Sequence, residues 1–119
     1  MKKKTWKARI KRACIDAGTY RPFFDTVIDE LASIMERRDM AVDAFEKAGG
    51  YVLVKHTNKN GSENLEQNPA LRLVNDLNRD SLAYWRDLGL TPAGLKKINE
   101  KSMEKPKRSA LAEAMRALG

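Results

Sequence analysis

The chain has 119 residues, 42% of them apolar, and a formal net charge of +7 at neutral pH. That length sets one domain with a modest core, and its periodic apolar pattern argues against wholesale disorder. Cys14 is the only cysteine, which excludes an intrachain disulfide and a multi-thiolate zinc site and leaves a small buried apolar thiol as the expected role.

Charge is unevenly placed. Residues 1–21 carry eight Lys/Arg against Asp16 alone, whereas residues 22–46 carry seven acids against Arg37 and Arg38. Residues 96–119 are basic again, with seven cations and three acids. A surplus of this kind favours a polyanionic partner. The opening MKKKTWKARIKRACIDAG starts like a signal peptide, but Lys7, Arg9, Lys11 and Arg12 interrupt any apolar run. No stretch approaches the ~20 apolar residues of a membrane span, so a soluble intracellular protein is expected.

Thr5 is the expected cap of a first helix that runs to about Ala17 and stops at Gly18. Trp6, Ile10, Ala13, Cys14 and Ala17 fall on one face; Lys4, Lys7, Arg9, Lys11 and Arg12 cover most of the rest. Pro22 opens a long second helix, striped by Phe24, Val27, Ile28, Leu31, Ile34, Met35, Val42 and Phe45 and ended by Gly49-Gly50. Its length of roughly 37 Å exceeds what a compact domain of this size covers, which points to an elongated protomer partly buried by a neighbour. A break near Glu36-Arg37-Arg38-Asp39 is the alternative.

Tyr51–Lys55 is a short strand by composition, Asn60-Gly61 a hairpin turn, and Ser62–Leu65 the return strand. Such a hairpin must lean on the helices or on another subunit. Asn68-Pro69 is an N-cap followed by the first position of a third helix, with Leu73, Val74, Leu77, Ser81, Tyr84, Trp85 and Leu88 inward and Gly89 as the left-handed cap. Thr91-Pro92 repeats the signal for a fourth helix with Leu95 and Ile98 inward. Lys105-Pro106-Lys107 is a linker, and Ala110 to Leu118 a C-terminal tail helix. The fold class is therefore mainly α, with a hairpin at about 51–66 inside a helical core of residues 20–100, preceded by a basic N-terminal helix (1–19) and followed by a basic linker and tail (101–119).

Candidate chemistry is sparse. His56 is the lone histidine, and a catalytic zinc needs about three protein ligands, so a place on the hairpin surface or at an interface is expected. Asp25, Asp29, Glu36, Asp39, Asp43 and Glu46 have a spacing that suits either a Mg²⁺ site or the solvated or inter-subunit face of an amphipathic helix. Gly49-Gly50 precedes a strand rather than Lys-Ser/Thr at a helix start, so it is no phosphate-binding loop. No catalytic residue, metal site or cofactor is assigned. The basic helix remains, suited to lie along nucleic acid and release counterions without reading sequence.

Three segments together, YRPFFDTVIDELASIMERRDMAVDAF, HTNKNGSENLEQNP and LAYWRDLGLTPAGLKKI, resemble the phage terminase small subunit family over roughly residues 20 to 100. The resemblance implies a non-enzymatic subunit of a DNA-packaging motor, working in the cytoplasm of the bacterial host. It implies a ring oligomer that binds double-stranded viral DNA near the packaging start and recruits the large ATPase-nuclease subunit, with no membrane partner. DNA contact is expected from Lys2, Lys3, Lys4, Lys7, Arg9, Lys11 and Arg12. Relatives often carry arginine after Gly-Leu-Thr-Pro; here Lys96 and Lys97 stand there. Inter-subunit burial is expected at Phe24, Ile28, Leu31, Met35, Phe45 and Tyr51, and docking of the large subunit at Ala110 to Leu118. Two other classes are compatible with the residues. One is a dimeric helical transcriptional regulator of phage origin reading DNA through residues 91–101; the other is a metal-dependent nuclease.

Overall fold

In the computed structural model, which describes residues 1–100, α1 spans Lys3–Asp16 and a 3₁₀ turn Pro22–Phe24 leads into α2, Asp25–Lys47. Strands β1 (Leu53–Thr57) and β2 (Glu63–Gln67) follow, then α3, Pro69–Asp87. Residues 92–100, the last of those described, are helical and are called α4. The mainly helical class and the two-stranded hairpin agree with the sequence expectation; the tail helix at Ala110 to Leu118 lies outside the described residues.

The first correction concerns α1. It starts at Lys3, two residues before Thr5, and no side chain of its own caps it. The carboxylate of Glu36 does so from α2, accepting a hydrogen bond from the Lys3 backbone N–H at 2.6 Å. An anion at a helix N-terminus satisfies an orphan donor and opposes the helix dipole, so a tertiary contact displaced the local Thr5 signal. Helix α2 is continuous through Glu36-Arg37-Arg38-Asp39, without the break held open above.

α1 runs antiparallel to the first half of α2, and α3 runs antiparallel along all of it. At 14 residues against 23, α1 is roughly 21 Å long and α2 roughly 35 Å, so α1 covers little more than half of α2. The core therefore collects at one end, where Ile10, Cys14, Ile28, Leu31, Ala32, Met35 and Leu88 are buried. Trp6, Tyr20, Phe24, Tyr84 and Trp85 pack around them. Burial pushes the Cys14 thiol pKa up, partly offset by its hydrogen bond with Thr19, in keeping with an inert apolar cysteine.

The same packing bears on the expected inter-subunit residues. Ile28, Leu31 and Met35 are enclosed within the chain itself, Phe24 and Phe45 are half-buried, and Tyr51 is exposed. Leu73, expected inward on α3, is half exposed, because it lines the side of the α2–α3 pair turned away from α1.

The exit of α3 explains the Gly-Leu-Thr-Pro-Ala-Gly stretch. Gly89 takes the left-handed conformation, φ 73°. Thr91 caps α4 by accepting from the Gly94 N–H at 3.1 Å, with Pro92 as the first helical residue. Gly94 lies so close to the Arg86 carbonyl that any Cβ would collide with backbone. The buried Thr19 hydroxyl donates to the Leu88 carbonyl at 2.8 Å, tying the α1–α2 turn to this exit.

At the opposite end, Asn68 joins the start of α3 to the hairpin. Its side-chain oxygen accepts from the Ala70 N–H at 3.0 Å, as the cap signal predicted; its side-chain nitrogen donates to the Tyr51 carbonyl at 2.9 Å, and its backbone N–H donates to the Val52 carbonyl at 2.8 Å. One residue thus starts α3 and closes the base of the hairpin. Asn68→Ala is expected to destabilise the protein by about 1–2 kcal/mol, with amide exchange rising first in β1 and β2; protection unchanged there refutes the clasp.

The hairpin turn also differs in detail. Asn60-Gly61 is not the central pair of a two-residue turn. Gly61 N–H donates to the Asn58 carbonyl at 3.1 Å, the Asn58 side chain accepts from Asn60 and Ser62 N–H groups, and only Gly61 has positive φ. The outcome is a three-residue loop with a left-handed glycine, which moves the return strand to Glu63–Gln67.

Candidate nucleic-acid interface

Docking α1 against α2 sorts its cations into two groups. On the inner edge, the Lys3 ammonium lies 3.1 Å and the Lys7 ammonium 3.4 Å from the Asp29 carboxylate. The Trp6 indole N–H donates to Asp39 at 2.7 Å, and the Arg38 guanidinium sits over the Trp6 ring at 5.9 Å. The acidic side of α2, which sequence spacing left as a metal site or a solvated or inter-subunit face, thus holds α1 in place through Asp29, Glu36 and Asp39. The signal was present in the charge map, a strongly basic segment followed directly by an acidic one; pairing them required the antiparallel geometry.

On the outer edge, Lys2, Lys4, Arg9 and Lys11 are exposed with no carboxylate partner among the described residues. Lys11 lies over the Tyr20 ring at 5.1 Å, and Arg12 faces Asp16 at 3.3 Å in a well-solvated pair of little energetic weight. Lys96 and Lys97 are exposed on α4. Ile98 of that helix and Thr19 of the α1–α2 turn both border Gly89, so α4 joins the same end of the bundle as the C-terminal end of α1. The C-terminal end of α1 and α4 are therefore neighbours in space.

The carboxylates that hold α1 are tuned by it. The Lys3 hydrogen bond, reinforced by Lys7, keeps the Asp29 pKa below the ordinary aspartate value against a smaller desolvation effect. For Asp39, burial raises the pKa, but the Trp6 indole, the terminal ammonium and Arg38 together outweigh it and leave the value lowered. Groups depressed in the folded state stabilise it above their unfolded pKa, near 4, and lose that contribution as pH falls through the folded values. Thermal melting is therefore expected to decline from pH 6 to pH 3, with a shallower decline in the Asp39→Asn protein; parallel profiles in melts followed by circular dichroism contradict it.

His56 lies exposed in β1 opposite Asn64. Among the described residues no group of three His, Cys, Asp or Glu could hold a metal ion, and no helix is long and apolar enough to cross a membrane.

The described residues form a small helical unit with a β-hairpin and a basic first helix. The family model described as phage terminase, small subunit, matches residues 3–105, and the chain belongs to that family. No curated protein and no solved structure matches it significantly.

Proposed function

We propose that the chain is the non-catalytic, DNA-engaging subunit of a phage genome-packaging terminase, acting in the cytoplasm of the bacterial host. It meets double-stranded viral DNA near the packaging start as a ring oligomer and recruits the large subunit that carries the ATPase and nuclease. Recruitment is assigned to residues 101–119.

The observation that carries DNA engagement is the outward face of α1. Among the described residues Lys4, Arg9 and Lys11 have no carboxylate partner, on a helix whose inner edge is already neutralised by α2. Such a face supplies phosphate contacts and counterion release, hence affinity without strong sequence reading. Repetition around an oligomer raises the avidity of individually weak contacts.

Fluorescence anisotropy on a 30-base-pair duplex tests this directly. Affinity should fall linearly in a log–log plot against salt, and the purified chain should not cut DNA with Mg²⁺ present. Salt-independent binding, or Mg²⁺-dependent cutting, overturns the proposal. Copurification of the large subunit should be lost when the chain ends at Lys101.

A further inference from the structure

Among the described residues the hairpin is tied to α3 at its base by Asn68 but has no helix packed against its faces. Every residue of β1 and β2 except Val54 and Gln67 is exposed, and neither strand packs against a helix to any extent. An isolated two-stranded hairpin is at best marginally stable in water, so one of its faces needs a cover. The register places Leu53 and Leu65 diagonally on one face, 54% and 67% exposed, with Glu63 and Lys55 beside them.

The same chain carries an open surface of matching chemistry. On the side of α2 turned away from α1, α2 and α3 leave a groove of about 490 Å³ lined by Arg37, Met40, Ala41, Ala44, Leu73 and Leu77. Met40 is 65% and Leu73 50% exposed there. Arg37, at the rim, has no carboxylate partner among the described residues.

Charge and spacing match between the two surfaces. Leu65 and Glu63 are two positions apart on one strand face, roughly 7 Å. Arg37 and Ala41 are one turn apart on α2, roughly 6 Å. With Leu65 seated among Met40, Ala41 and Leu73, the Glu63 carboxylate meets Arg37 in exchange for its loose 3.9 Å contact with Lys55.

From this we infer that the Leu53/Leu65 face of the hairpin of one copy covers the α2–α3 groove of the next. The contact joins two different patches, so it is heterologous, and it closes into a ring if its rotation allows. The inference rests on the reading of the chain as an oligomeric subunit and assigns the surfaces that make the oligomer.

Complementation tests it. Leu65→Lys spoils only the hairpin and Leu73→Lys only the groove; both positions are exposed, so circular dichroism should remain native. By light scattering during size exclusion, each variant alone should fall from the wild-type assembly to the single-chain mass. An equimolar mixture should give a one-to-one dimer, because the intact hairpin of one variant finds the intact groove of the other. Pairing Arg37→Glu with Glu63→Arg in one chain should restore assembly lost in either single variant. A mixture that stays monomeric, or variants that keep the wild-type mass, overturns this interface while leaving an oligomeric subunit intact. A wild-type chain that is monomeric at tens of micromolar overturns both; loss of salt-dependent DNA binding bears on the proposed function alone.

Discussion

Replacing Lys4, Arg9, Lys11 and Arg12 together by alanine is expected to reduce affinity for double-stranded DNA by about three to four orders of magnitude at 0.1 M salt. Each phosphate contact adds about 0.9 to the slope of log affinity against log salt and is worth roughly tenfold near that concentration. Four lost contacts should lower the slope by about 3 to 4. The side chains are exposed on α1, and surface substitutions of this kind shift stability by about 0.5 kcal/mol or less, so melting should scarcely move. Lys3→Ala with Lys7→Ala should show the opposite pattern. Both ammonium groups serve Asp29, so the melting temperature should drop while the salt slope changes little. Equal loss of slope in the two sets would show that α1 leaves α2 when it meets DNA.

Leu31→Ala is expected to cost about 2–5 kcal/mol, the usual range for truncating a fully buried leucine. Leu31 is fully buried between α1 and the end of α3, in the cluster that includes Ile10, Ile28 and Leu88. For a domain near this size such a loss lowers the melting temperature by on the order of 10 °C or more. Urea titration of the monomeric Leu65→Lys background should show the full loss, because the contacts lie inside one protomer. If the loss appears only in the assembled wild-type background, Leu31 acts between subunits as its place in the sequence stripe first suggested.

The local signals that proved legible were those a few neighbouring residues can satisfy alone. Asn68-Pro69 starts α3 and Gly89 ends α3; Thr91-Pro92 starts α4. Capping needs only a side-chain oxygen, a fixed φ or a tolerated positive φ within one turn of chain. The hairpin's existence was legible for the same reason, although its loop was set by Asn58 two positions before the expected turn.

The amphipathic stripe of α2 was also visible as a stripe, but periodicity cannot say which neighbour covers which part of it. Leu31 and Phe45 both belong to that stripe, yet Leu31 is sealed and Phe45 only half-buried. The difference is the reach of α1, which pairs with α2 from Asp29 to Asp39 and leaves Phe45 beyond it. Likewise, seven cations in the first twelve residues announced a basic helix, but not that Lys3 and Lys7 face an acidic helix while Lys4 and Lys11 face outward. By itself the sequence determined element types, the N-caps of α3 and α4, the family and the sign of the charge on α1, because these depend on short-range spacing. Only the tertiary structure decided which cations remain free, which apolar residues are already enclosed and where the open groove lies. Those properties depend on how far one helix extends along another.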